Sequence, residues 1–224
     1  MTQLLVVGGS GFLGRSICRH AVADGHTVRS VSKSGRPDSS HADLRPGTES
    51  WIDAVEWTSA DLFSPHTWRD RLRGCDLVIH SVGTAHEAPT EGVTFERING
   101  DSTILTALEA ERAGVESFAF LSSAANYPTA RRAYLRSKRR AERAISDLNL
   151  ELTVLRPGPV YGPGQPHFPG AVNTLFEWID RVPMLSERLG DAQPLPVDHV
   201  ARVTLDAALE DDRRLLTTED IARA

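Results

Sequence analysis

The stretch Val6–Arg15, VVGGSGFLGR, decides how the rest of the chain is read. Gly8, Gly11 and Gly14 recur at every third position of an otherwise apolar run, and Gly9-x-Gly11-x-x-Gly14 also satisfies G-x-G-x-x-G. Glycine inside regular structure costs roughly 0.5–1 kcal/mol relative to alanine, so this many together mark a place where backbone must bend or be approached. Upstream, Gln3–Gly8 (QLLVVG) reads as a strand; downstream, FLGRSICRHAVADG reads as a helix stopped at Gly25. The motif alone is weak, but strand, turn and helix are the context it requires. In that context the first glycine permits a tight turn, the second lets backbone approach a pyrophosphate, and the third lets helix pack on strand. The free N–H groups and partial positive charge of the helix start favour a phosphate. Gly8, Ser10, Gly11, Phe12, Leu13 and Gly14 are therefore the expected dinucleotide cradle.

Outward from the turn, short β-rich runs alternate with helical patterns. HTVRSVS, VEWTSAD, CDLVIHSVG, SFAFLSS and LELTVLRPG read as strands, and TWRDRLRG occupies a helical place in the alternation. Helices are expected around Phe95–Ala113, from about Arg131 to Leu148, over AVNTLFEWIDRV and over DHVARVTLDAALE, and a polar loop over Lys33–Ser50. Alternation of this kind implies βαβ units and a parallel sheet, and near-continuous apolar strands such as LLVVG and DLVIH imply helices on both faces. The expected fold is α/β: a doubly wound, Rossmann-type parallel sheet with helices on both faces and a small C-terminal substrate lobe. The boundaries are residues 1–157 for the NAD(P)-binding domain, 158–197 for a Pro/Gly-rich lobe, and 198–224 for a C-terminal helical segment packing on the first domain.

Composition excludes several classes. With 224 residues and 40 % hydrophobic content the chain can bury one sizeable core. A net charge of −5 gives no basic footprint for nucleic acid. Cys18 and Cys75 sit in no CxxC or zinc spacing and read as small buried hydrophobes of a reducing compartment. No leader-like segment precedes the strand at Gln3, and no apolar run reaches the ~18 residues needed to span a bilayer. The expectation is a soluble, cytoplasmic protein. Among the eight histidines, His80, His86, His167 and His199 share no ligand spacing, so no metal is expected. Trp51, Trp57, Trp68 and Trp178 are scattered and read as core or lobe packing.

The second strand ends in SVSKSGRP, with no Asp or Glu where NAD-binding turns carry an acid for the ribose 2′-OH. Ser32, Lys33, Ser34 and Arg36 suit a 2′-phosphate instead, which favours NADP(H) over NAD(H). In RRAYLRSKRRAERAI, Tyr134 and Lys138 share a helix face. A phenol with a pKa of about 10 is a poor base, and an ammonium one turn away favours the phenolate. That pair suits carbonyl/alcohol interconversion beside a nicotinamide. FLSSAANY brings Ser122 and Ser123 to the sheet's C-terminal edge, where a hydroxyl can hold the substrate oxygen. The basic run Arg131–Arg143 reads as a solvated face partly balanced by Glu142, or as a means of drawing in an anionic cofactor.

The ordered set Gly8–Gly14, Asp61-Leu62, DLVIHSVG, Ser123, YLRSK and LRPGPVYGPG resembles the short-chain dehydrogenase/reductase superfamily, in its extended or atypical, epimerase/dehydratase-like branch. The wording GGSGFLGR, VSKSGRP, ADLFSPHTW, YLRSKRRAE and PVDHVA is most similar to a subgroup that includes the 39 kDa complex I accessory subunit and fungal proteins associated with coenzyme Q synthesis. The resemblance implies catalytic roles for Ser123 (orienting the carbonyl), Tyr134 (proton transfer) and Lys138 (holding the nicotinamide ribose). It implies cofactor contacts from Asp61 and Leu62 to adenine, from Val82 and Gly83 beside the cofactor, and from Pro157 and Gly158 at the nicotinamide end. Asn99 matches a family asparagine but is expected to be structural. It further implies a small-molecule substrate, quinone-related in this subgroup, and a homodimer or association with a larger complex. A non-catalytic cofactor-binding accessory protein and a nucleotide-sugar epimerase or dehydratase are the alternatives. The latter is disfavoured by the short Ser123–Tyr134 segment and the small lobe.

Overall fold

The computed structural model describes residues 1–38, 50–124, 132–166, 169–182, 187–210 and 214–224. Most of the loop expected over Lys33–Ser50, the helix start expected at Arg131, and His167 lie outside the described residues. In chain order the elements are β1 (Gln3–Val7), α1 (Phe12–Ala23), β2 (Thr27–Ser32), α2 (Ser50–Asp53), β3 (Val55–Ser59), β4 (Leu77–His80), α3 (Ser102–Arg112), β5 (Ser117–Leu121), α4 (Arg132–Ile145) and β6 (Glu151–Leu155). There follow β7 (Val160–Tyr161), α5 (Gly170–Asp180), β8 (Leu195–Pro196), α6 (Val197–Ala208), β9 (Arg214–Leu216) and α7 (Thr218–Arg223).

Side chains of a strand alternate between faces, so an unbroken apolar strand must be covered twice. In β1, Leu4 and Val6 join a cluster with Ile17, Cys18 and Ala21 of α1 and Val200, Ala201 and Leu205 of α6. Leu5 and Val7 point the other way, into a cluster with Ala107 and Ala110 of α3 and Ala141 and Ile145 of α4. The result is a seven-stranded sheet of order β3-β2-β1-β4-β5-β6-β9, parallel at every pairing. Strand order runs outward from β1 in one direction and then, at β4, in the other. Such a switch point opens a crevice at the C-terminal strand ends, where ligands bind in folds of this kind. This is the Rossmann-type, doubly wound α/β architecture. Among the described residues, no helix is long and apolar enough to cross a membrane.

Four local outcomes differ from the sequence reading. TWRDRLRG gives two short 3-10 turns, Pro65–Thr67 and Arg69–Leu72, because Trp68 between them is buried with its Nε1 donating to Leu62 O at 3.1 Å. The helix expected around Phe95–Ala113 starts as a π-helical stretch, Glu96–Asp101, before α3. The segment 198–224 is not purely helical: β9 extends the sheet beside β6, and α7 follows behind a capping box of Thr217 and Asp220. In the lobe, β7 pairs with β8, and α5 is tethered through Tyr161 Oη to Asp180 (2.8 Å) and through Gly162 N–H to Asn173 Oδ1 (2.9 Å). Hydrogen bonds, not a buried apolar stripe, hold α5: it has no buried residue, and Trp178, expected to pack, is 56 % exposed.

Candidate active site

The glycine turn is shaped by backbone meeting backbone. Gly8 has φ +89°, a conformation that L side chains rarely adopt. Its N–H donates to Val31 O at 2.8 Å, and its carbonyl accepts from Gly11 N–H at 2.9 Å. At Gly14 a Cβ would lie 2.1 Å from Gly8 O and 2.7 Å from Gly9 Cα, so α1 rests directly on the end of β1. Gly11 caps α1 without a side-chain hydrogen bond, and no acidic residue occupies the first turn. The helix start therefore keeps N–H groups for a ligand, and its partial positive charge is uncompensated.

From this turn a cleft of about 990 Å³ runs along the C-terminal strand ends. Gly8, Ser10, Gly11, Phe12, Leu13, Ser32, Lys33, Ser34, Asp61, Leu62, Val82, Gly83, Ser123, Tyr134, Lys138, Pro157 and Gly158 line it. Gly14 and Arg36 are not in its lining. Gly14 acts through helix packing, and Arg36, expected to reach a 2′-phosphate, is exposed and paired with Asp53 at 2.6 Å. At the end of β2 the hydroxyls form a chain. Ser10 Oγ donates to Ser32 Oγ at 2.8 Å, and Ser32 Oγ donates to Gly35 O at 3.1 Å. Ser10's one proton is thereby used, so Ser34 Oγ, also 2.8 Å away, donates to it. Lys33 is exposed at the same corner.

At the other end, α4 carries Tyr134 and Lys138 one turn apart, as the helical period requires. Lys138 is only 3 % exposed; its Nζ donates to Leu121 O at 2.9 Å and sits 4.8 Å from the Phe120 ring centre. Burial lowers its pKa to about 7, the negative charge of Glu142 opposing the shift. Tyr134 meets Phe95 edge to face at 5.6 Å. Ser123 is buried, and its carbonyl accepts from Arg139 Nη2 at 2.9 Å. Asn99 is occupied with Thr84, accepting from its N–H at 2.7 Å and donating to its carbonyl at 3.1 Å. His80, at the end of β4, is wholly buried beside Ser102 and Thr103; burial and the charge of Lys138 lower its pKa to about 3, so it is neutral.

The sequence reading missed how this end is held. Glu142, read as balancing a solvated face, is buried and accepts from Ser122 Oγ, from Arg139 (2.6 Å) and from both Arg156 Nε (3.1 Å) and Nη2 (2.6 Å). Burial alone would raise its pKa, but the hydrogen bonds from Arg156 and Ser122 and the charge of Arg139 hold it below the usual carboxylate range. Arg156 in turn is held by the C-terminal elements. Its N–H donates to Leu216 O at 2.8 Å, and Thr218 Oγ1 donates to its carbonyl at 3.1 Å. No local spacing announces this network, since its members come from α4, the ends of β5 and β6, β9 and the start of α7. Among the described residues, no group of His, Cys, Asp or Glu could hold a metal ion.

Known proteins agree with this architecture. The chain is 29 % identical over 201 residues to MIOREX complex component 2 of Saccharomyces cerevisiae, covering 70 % of this chain and 72 % of that one. It is 32 % identical over 181 residues to ceramide reductase of Caulobacter vibrioides, covering 80 % of this chain but only 52 % of that protein. The structure of MoeE5 with UDP-glucuronic acid and NAD superposes with a TM-score of 0.68 at 23 % identity, over 96 % of this chain and 74 % of that one, a likeness of fold alone. The NAD dependent epimerase/dehydratase family model matches residues 4–224, and the chain belongs to that family.

Proposed function

We propose that this protein is an NADP(H)-binding oxidoreductase that moves a hydride to or from a small or hydrophobic carbonyl or alcohol, quinones included. The observation that carries the reading is a single cleft that reaches from the uncapped glycine turn to Tyr134 and Lys138. The residues fit a nicotinamide dinucleotide: the turn offers N–H groups to a diphosphate at a point where side chains are excluded. The hydroxyls of Ser32 and Ser34 with Lys33, and the lack of a carboxylate at the end of β2, favour a 2′-phosphate.

When bound, the nicotinamide supplies or accepts the hydride; the chain's own side chains manage the proton. Tyr134 donates it to the carbonyl oxygen in reduction and removes it in oxidation. Lys138, when charged, favours the phenolate, and with a pKa of about 7 it exchanges its own proton near neutral pH. The Ser123 hydroxyl orients the substrate oxygen. The lining from Val93, Phe95, Pro159, Val160 and Pro166 is apolar and suits an uncharged substrate, with residues 158–197 forming the substrate side.

Replacing Tyr134 by Phe is expected to reduce NADPH-dependent turnover about 10²-fold or more, with NADPH affinity nearly unchanged. Stopped-flow oxidation of NADPH against a panel of quinones, ketones and aldehydes, beside calorimetric titration of NADPH, measures both. Tight NADPH binding by the wild type with no oxidation by any acceptor favours a second reading, a cofactor-binding accessory protein. The likeness to a protein named as a complex component supports that second reading. A nucleotide-sugar epimerase has less support: the family model includes such enzymes, but the likeness to the solved UDP-sugar complex is one of fold and the Ser123–Tyr134 segment is short.

A further inference from the structure

Two residues that line the cleft touch each other across it. Arg97 lies in the π-helical stretch after β4, and Phe63 in the loop after β3. In the sheet, β2 and β1 separate β3 from β4, a distance of about 14 Å at the usual strand spacing. Yet the Arg97 guanidinium carbon lies 3.8 Å from the centre of the Phe63 ring. The contact therefore arches over the strand ends where the glycine turn and the Ser32–Ser34 corner open.

The neighbouring acids do not hold Arg97. Glu96 is paired with Arg140 at 2.9 Å and with Arg136 at 3.8 Å, and Asp101 is paired with Arg140. Among the described residues the Arg97 guanidinium has no ion-pair partner, and the aromatic face is what positions it. The loop beneath is shaped in advance, since Phe63 N–H donates to Asp61 Oδ1 at 3.0 Å. A planar cation resting on an aromatic ring suits a ligand that is itself planar and carries phosphates.

We propose that Arg97, stacked on Phe63, is a clasp that closes the cleft over the adenosine half of the dinucleotide. With the guanidinium carbon 3.8 Å from the ring centre there is no room for a base between the two groups, so the purine is covered by the pair instead of being inserted between them. The clasp sets affinity and takes no part in proton transfer. It rests on the reading of the cleft as a dinucleotide site.

The test is calorimetric titration of the full chain with NADPH and, separately, with ADP, which carries only the adenosine half. Arg97→Ala is expected to weaken both ligands by about tenfold, the scale of a partly desolvated cation–aromatic contact. Phe63→Leu should act in the same direction, and Arg97→Lys should fail to restore binding, because an ammonium lacks the planar face. Arg97 is exposed, so unchanged thermal midpoints are expected and separate a binding loss from unfolding. Wild-type binding that Arg97→Ala leaves unchanged overturns the clasp while the dinucleotide reading stands. Full restoration by Lys also overturns it, reducing Arg97 to a point charge. A wild type that binds neither NADPH, NADH nor ADP removes the dinucleotide reading itself.

Discussion

At the glycine turn the cleft is shaped by main chain: Gly8 O stands so close to where a Cβ on Gly14 would be that no side chain fits there between α1 and β1. At the α4 end it is shaped by side chains whose positions depend on distant partners. Lys138 is capped by a β5 carbonyl, and the strand end bearing Ser123 is tied through Arg139 and Glu142 to Arg156 and thence to Thr218. Main-chain geometry of the first kind tolerates almost no substitution but needs no partner. A charge network of the second kind tolerates conservative change and fails when one partner is removed, since a buried ion left unpaired costs more than the pair contributes.

The largest effect should come from Gly14→Val. Its side chain would force α1 off β1, costing roughly 3 kcal/mol or more and abolishing dinucleotide binding; an unchanged urea midpoint would break the contrast at once. Glu142→Gln comes next. It strands Arg139 and Arg156, which are 20 % and 30 % exposed, so the cost should be about 2 kcal/mol, below the 3–5 kcal/mol of a fully enclosed pair. Chemical denaturation measures it, and a neutral result would mean that the network is as solvated as an ordinary surface pair.

A subtler comparison uses pH. Burial lowers the pKa of Lys138 to about 7, against an unfolded value of about 10.4. Between those values the unfolded chain holds the extra proton, so this residue makes stability rise with pH across that window and contributes no slope below it. Relative to Lys138→Met, the wild type should gain stability from pH 7 to about 10. A difference that stays flat with pH would place the ammonium in water. The smallest effects concern cofactor choice: Lys33→Glu should weaken NADPH about tenfold more than NADH, whereas Arg36→Glu should alter either by less than about twofold, because Arg36 is already paired with Asp53 outside the cleft. Equal losses at both positions would blur the corner's distinction.

What could be read from sequence follows the same divide. The strand, turn and helix around Gly8–Gly14 are local, and the facing of Tyr134 and Lys138 follows from helical period alone, so both were legible. The burial of Glu142 was not, because it depends on an arginine just after β6 and a serine just after β5 that no window of sequence brings together. Arg36 illustrates the converse: its charge and spacing suited a phosphate, but Asp53 at the end of α2 competes for it. The Arg97–Phe63 contact depends on strand order, and β9 is too short, at three residues, to show a period.

Cys18 lies directly beneath the turn, fully enclosed, with its Sγ 3.0 Å from where a Cβ on Gly9 would stand, and burial raises its thiol pKa. A reagent such as a disulfide dye can reach that sulfur only when α1 lifts from β1. Its labelling rate is thus a built-in clock for breathing of the glycine turn, one that a dinucleotide bound there, as proposed, should slow.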